Sequence, residues 1–370
     1  MKAAFRLCHK YLALCLGALW LLQALTGMLL VFHRELDDKS LGASGQAVNF
    51  AVVDRVLGQL AQGEPATKIV EYFVSGGVAG QVDVLIERAG AAREVVRIDG
   101  ATGIVLRTSA WEEPRSQLGL FRFVLLAHKQ LLAGRFGEWL IGISGVFLLI
   151  NIVLGLKLAW PRAGQWRAAL FPRPAKAPAA KRFAWHRAMG LWLAPFASLV
   201  ALTGSLMTWT QELPAAATAP LAPATSSAVS ARDGRMISSA AAVEVARHLY
   251  QDATVAIVSM PSEQRPWYSI RLRQPGELRR IYGATQVRVD ADTGEPMATF
   301  DALRMSMADK IFVALYPIHS GEWGGVATRL LAILVGVWLA GTMAFGLLLW
   351  IARRAREGMR STQRVGVRSV

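Results

Sequence analysis

Two cysteines in 370 residues, Cys8 and Cys15, form no CxxC or CxxCH motif. Zinc, iron–sulfur and covalently attached c-type haem therefore have no support, and both cysteines read as packing residues. Charge is also sparse, at 18% Asp, Glu, Lys and Arg, and one sign dominates, with a net charge of +15. That excess piles up beside particular apolar segments. Such a distribution argues against nucleic acid and for loop charges that fix membrane orientation. No GxGxxG follows a strand, and neither a Walker loop nor HExxH occurs, so the chain carries no signature of a nucleotide fold or a zinc hydrolase. Histidine is rare as well, with six in the chain, so the position of each carries information.

Apolar sequence is what the chain has in plenty, at 53% with 12 Trp. The first stretch, Tyr11 to Phe32, makes a helix of about 33 Å, enough to cross a bilayer core. Its apolar core is too long for a signal peptide, and no small-x-small site follows before His33-Arg34-Glu35, so a retained helix is expected. Four spans emerge, at about Tyr11–Phe32, Trp139–Leu158, Met189–Trp209 and Val326–Trp350. Lys157, Arg162, Arg167, Arg173, Lys176, Lys181, Arg182 and Arg187 crowd the connection between spans two and three, and Arg353, Arg354, Arg356 and Arg360 follow span four. With the basic N-terminus, these charges place both termini in the cytoplasm and the long connections, 34–127 and 211–318, outside.

The chain reads as two tandem copies. HRAMGLWLAPFASLVALTGSLMTW from His186 replays HKYLALCLGALWLLQALTGMLLVF from His9 without a gap, with Thr26-Gly27 and Thr203-Gly204 in the same register. His128 and His319 lie at the entries to spans two and four, followed in matching register by Gly145 and Gly336, then by Gly155 and Gly346. The last two glycines read as small-residue helix packing somewhat more readily than as room for a ligand. The expected segments are helix 1 (1–33), an outer domain (34–127), helix 2 (128–160), a basic loop (161–185) and helix 3 (186–210). A linker with a second outer domain (211–318), helix 4 (319–352) and a basic tail (353–370) complete the chain. Each outer segment reads as a small α+β domain. Helices are expected at Phe50–Gln62 and Ala240–Tyr250. Strands are expected at Gln81–Glu87, Glu94–Ile98, Ile104–Leu106, Thr254–Met260, Trp267–Leu272 and Thr285–Val289. The turns VRIDGATG and VRVDADTG correspond, Leu213–Asp233 reads as a flexible linker, and Arg162–Lys181 as a basic one. Parallel copies place equivalent residues face to face about a pseudo-twofold axis, so His9 can meet His186 on the cytoplasmic side and His128 can meet His319 on the outer side.

These features resemble the PepSY-associated transmembrane proteins of bacterial inner membranes over essentially the whole chain. The resemblance rests on His9-Lys10 and His186-Arg187, on the Thr-Gly pairs, and on Phe32-His33-Arg34-Glu35-Leu36-Asp37. It rests also on the Asp-x-x-Thr-Gly turns and on His128 and His319. Within that family the chain is most similar to ferric-siderophore reductases of the FoxB type, which implies two haem b groups. A b-type haem is held without covalent attachment, most simply by two imidazoles from facing helices, and a bis-histidine iron favours electron transfer over oxygen binding. The expected ligands are His9 with His186 for an inner haem and His128 with His319 for an outer one. His33, which has no counterpart because Thr210 stands at its equivalent position, is an alternative outer ligand or a proton relay. The expected reaction passes electrons outward to a ferric siderophore and releases Fe(II), fed by a quinol, a reduced carrier or another protein. His248 reads as solvated. Glu35, Glu138, Glu212 and Glu322 flank the spans, either on a proton or substrate path or as solvated helix ends. The rival readings are a non-catalytic PepSY membrane module that binds or regulates a partner, and a transporter of the iron chelate.

Overall fold

Backbone polar groups in lipid must find partners within their own segment, so an apolar run of more than about 20 residues resolves as helix. In the computed structural model four helices meet that requirement: α1 (Lys2–Leu30), α5 (Gly134–Ala159), α7 (Pro178–Thr208) and the Val326–Ala355 portion of α10 (Val326–Gly366). Backbone is described for residues 2–63, 67–75, 79–88, 93–111, 119–173, 177–209, 236–278 and 282–366, with side chains to 355. The chain is a membrane protein. It divides into two compact units, one of residues 1–31, 124–210 and 318–370, the other of residues 32–123 and 211–317.

In the first unit α1 packs on α5, α5 on α7, α7 on α10 and α10 on α1, closing a ring of four helices. Large side chains such as Leu25, Leu29, Val153, Leu202 and Leu347 point outward, where lipid solvates them, while the interior takes small and polar residues including Ser144, Asn151, Ala197, Thr203 and Ser205. Gly142 and Gly145 let α5 lie against Thr208 and Ser205 of α7 and against Trp209 just past its end, and Gly336 makes room for Met28 of α1. Trp20 is 2% exposed and donates from its indole N–H to Ser144 O at 3.1 Å. Cys8 and Cys15 are not packing residues; both lie exposed on α1.

Several boundaries differ from those read in the sequence. His128 is not the first turn of span two but sits on a separate helix, α4 (Leu120–Gln130), and α5 starts only at Gly134. Between them Leu131 and Leu132 take positive φ angles of 51° and 56°. His319 likewise closes α9 (Met307–Ser320), before a 3₁₀ turn at Glu322–Gly324. The basic connection contains a short helix, α6 (Trp166–Leu170), with Ala169 buried and Phe171 beside Trp192. Because α7 begins at Pro178, Lys181 and Arg182 belong to the helix rather than to a linker. The linker 213–233 lies outside the described residues.

The second unit holds α2 (His33–Lys39), α3 (Phe50–Gly63), β1 (Lys68–Val74), β2 (Gln81–Glu87), β3 (Glu94–Asp99) and β4 (Val105–Ala110). From the later segment it takes α8 (Ser239–Leu249), β5 (Thr254–Ser259), β6 (Trp267–Arg273), β7 (Thr285–Asp290) and β8 (Pro296–Phe300). Two separate domains are not what these elements form. All eight strands make one antiparallel sheet, ordered β4-β3-β2-β1-β5-β6-β7-β8, joined where Tyr72 pairs with Val258. A four-stranded half would leave β1 or β5 as an open edge, and pairing them removes both edges. Strand alternation sends Tyr72, Val84, Val96, Val258, Ile270 and Val287 into one core with Val53 and Val56 of α3 and Val243 of α8. Polar contacts tie the two helices across it: Asp54 accepts from Ala240 N–H at 2.8 Å and from the Ser239 hydroxyl.

The Asp-x-x-Thr-Gly turns have a local cause. Asp99 Oδ1 accepts from Ala101 and Thr102 N–H, Asp290 Oδ1 accepts from Asp292 and Thr293 N–H, and Gly103 and Gly294 close the turns at φ 80° and 76°. Burial acts to raise the Asp99 pKa, but hydrogen bonds from Ser44, Thr102 and Ala101 outweigh it and hold the carboxyl at about 2.

Candidate functional site

Four of the six histidines meet as two pairs inside the bundle. His9 of α1 and His186 of α7 stand with ring centroids 6.2 Å apart and planes at 60°. His128 of α4 and His319 of α9 stand 6.1 Å apart at 41°. The pairs lie toward opposite ends of the bundle, since His128 rests on Gly27, about 27 Å of helix beyond His9.

One local device holds all four rings. Each imidazole lies over a glycine of a neighbouring helix. A methyl group on that glycine would stand 3.0 Å from His9 Cε1 at Gly155, 3.4 Å from His186 at Gly346, 3.1 Å from His128 at Gly27 and 2.6 Å from His319 at Gly204. Three of the Nδ1 atoms then reach the carbonyl one turn before that glycine: His9 to Asn151 O at 3.1 Å, His186 to Thr342 O at 3.0 Å and His319 to Val200 O at 2.9 Å. His128 Nδ1 instead meets Thr26 Oγ1 at 2.9 Å. The Thr26 hydroxyl donates to Leu22 O at 2.6 Å, so its oxygen accepts from the imidazole. A carbonyl oxygen can only accept, which puts the proton on Nδ1 and leaves Nε2 with its lone pair.

That tautomer is the one a metal ligand needs, with the outer nitrogen fixed by a backbone acceptor. Two imidazoles on opposite sides of one metal, each at about 2 Å, put their ring centroids about 6 Å apart. Both pairs have that separation. Among the described residues no group of three or more His, Cys, Asp or Glu is placed to hold a bare metal ion. A porphyrin brings four nitrogens of its own and asks the protein for two axial ligands, so the residues present fit haem b. The buried side-chain amides of Gln23 and Asn151 flank the two pairs, one turn before the glycines under His128 and His9.

The remaining candidates fall elsewhere. His33 opens α2 in the second unit, its ring 6.2 Å from that of Phe121. His248 is exposed on α8. Glu138 is held by Arg135 at 2.6 Å and Lys129 at 3.3 Å, Glu322 is buried, and Glu212 lies outside the described residues. Gly155 and Gly346 are histidine seats rather than ordinary packing glycines. The backbone acceptors escaped the sequence reading altogether, because a carbonyl carries no residue identity. Their trace was the glycine itself, four residues later on the same helix face.

The family model described as PepSY-associated TM region matches residues 6–353. No curated protein matches the chain.

Proposed function

The chain belongs to the PepSY-associated TM region family, and from that membership together with its histidine pairs we propose a di-haem b oxidoreductase. It passes electrons across the bacterial inner membrane to a ferric siderophore and releases Fe(II). The observation that carries this reading is the twofold 6 Å histidine pair with every Nδ1 hydrogen-bonded. His9 and His186 hold one haem, and His128 and His319 hold the other. When bound, haem b supplies an iron that gains and loses one electron at constant coordination. The protein's part is to keep all four imidazoles neutral with Nε2 presented, and to keep bulk water out with the bundle's apolar residues. The hydrogen bonds at Nδ1 raise ligand basicity and stop ring rotation.

The element order supports two tandem copies, each a long helix, a helix-and-four-strand segment, a short histidine-bearing helix and a second long helix. The Lys/Arg asymmetry supports cytoplasmic termini, with the sheet unit in the periplasm as the face that meets the siderophore. Orientation is tested in a background lacking Cys8 and Cys15. An impermeant thiol reagent added to intact cells is expected to modify Ser226→Cys and spare Ala175→Cys, and equal labelling of both would refute it. Electrons enter from a quinol, a reduced carrier or a partner protein.

An absorption spectrum tests the function. Purified protein is expected to show a Soret band, a dithionite-reducible α-band and two haems per chain. Colourless, folded protein would transfer the case to a non-catalytic PepSY module or a chelate transporter.

A further inference from the structure

A cavity of about 390 Å³ is lined by Pro178, Lys181, Arg182 and Trp185 of α7 and by Phe345 of α10. The four α7 residues recur at helical spacing and so share one face. His186 is the next residue up from Trp185 and lies one turn beyond Arg182. Phe345 precedes Gly346, the seat of His186. The cavity thus lies within one helical turn of His186 and next to its glycine seat, and it combines aromatic walls with two cations. Neither cation has an ion-pair partner among the described residues. At the corresponding place in the first helix stand Ala4 and Phe5, so the two charges are peculiar to α7.

Aromatic walls with two neighbouring cations recognise a flat apolar body that carries two carboxylates at one edge. That is the chemistry of a porphyrin rim. We propose that Lys181 and Arg182 bind the two propionates of the haem held by His9 and His186, fixing its rotational setting and raising its potential. This rests on the haem reading above. The sign follows from electrostatics: a cation beside the macrocycle disfavours the ferric state, which carries one more positive charge than the ferrous state.

The test uses Lys181→Gln, Arg182→Gln and the double variant in full-length protein. Redox titration is expected to show one of the two haems shifted to lower potential and the other unmoved. Transfer of that haem to apomyoglobin is expected to quicken about tenfold per substitution, the difference a charged hydrogen bond makes. Reconstitution with haem dimethyl ester, whose carboxylates are neutral and cannot pair with the cations, should abolish the difference in transfer rate between wild type and variants. Unchanged potential and transfer rate in variants that still hold two haems would overturn the assignment while leaving the haem reading intact. An equal quickening of transfer with the ester would overturn it too, as would loss of co-purifying anionic lipid with haem behaviour unchanged, since the cations would then serve something other than propionates. A wild type devoid of haem would instead remove the functional reading and this inference with it.

Discussion

His9→Ala and His186→Ala are each expected to leave one haem of two, and the two variants should be spectroscopically alike. In the proposed site both rings would offer Nε2 to one iron, and a bis-imidazole iron that loses either ligand loses the strongest part of its hold on the protein. His128→Ala and His319→Ala should lose the other haem. They should also bring reduction of an iron(III) siderophore down to background, while the His9–His186 haem remains reducible from the cytoplasmic side. Haem counting by pyridine haemochrome, beside turnover, checks all four. Gly204→Ala provides an arm that keeps every ligand: its methyl would stand 2.6 Å from His319 Cε1, whose Nδ1 is already fixed to Val200 O. It should damage the same haem as His319→Ala, and more than Gly346→Ala damages the other, where the gap is 3.4 Å. Retention of two bis-histidine haems by any of the four histidine variants would break the corresponding pair. If His33→Ala loses a haem that His128→Ala or His319→Ala keeps, His33 is the ligand.

The spans were legible because lipid imposes one requirement, continuous apolar length, which hydropathy reads directly. The break after Gln130 was not, because Leu131 and Leu132 look like a continuing apolar helix, and their positive φ is imposed by context where sequence would normally signal it with glycine. The histidine pairs were legible through symmetry of position. Their seats were not: Gly27 sits in register with His9 on its own helix, yet the ring it accommodates is that of His128. Register along one helix says nothing about which neighbour faces it until the ring order of the bundle is known. The joined sheet escaped for a similar reason. β1 was not expected at all; its run KIVEYFV alternates poorly and carries a register shift between Ile69 and Glu71. Without β1, each segment looks like a self-contained domain, and the seam with β5 has no visible member.

The largest expected stability effect is at Arg97. This guanidinium is 12% exposed and serves three carboxylates: Asp83 through Nε at 2.5 Å and Nη2 at 2.7 Å, and Asp37 and Asp38 through Nη1 at 2.9 Å each. Asp38 is 2% exposed and also receives the Ser75 hydroxyl, and Gln81 donates to its backbone carbonyl at 2.8 Å. Burial disfavours the Arg97 charge, but the hydrogen bond and charge of Asp83, then the charges of Asp38 and Asp37, outweigh it and push the pKa up. The cluster fastens α2 to β2 and β3. Arg97→Ala leaves a buried carboxylate uncompensated, which costs about 3–5 kcal/mol. Arg107 is 39% exposed and serves Asp37 alone, so Arg107→Ala should cost about 1 kcal/mol or less. Arg97→Lys should fall nearer to Ala than to wild type, because a point charge cannot span three partners in fixed directions. Hydrogen exchange of β2 and β3 amides in the full chain in detergent reads the difference, and similar costs for Arg97→Ala and Arg107→Ala would refute the hierarchy. A pH series adds a sign. Burial acts to raise the Asp37 pKa, but Arg107 and then Arg97 overcome it and hold the carboxyl below its usual value. Its contribution is therefore complete above about pH 4 and is lost as pH falls through the lowered value. The gap between wild type and Arg97→Ala should narrow in acid and stay constant from there to neutrality.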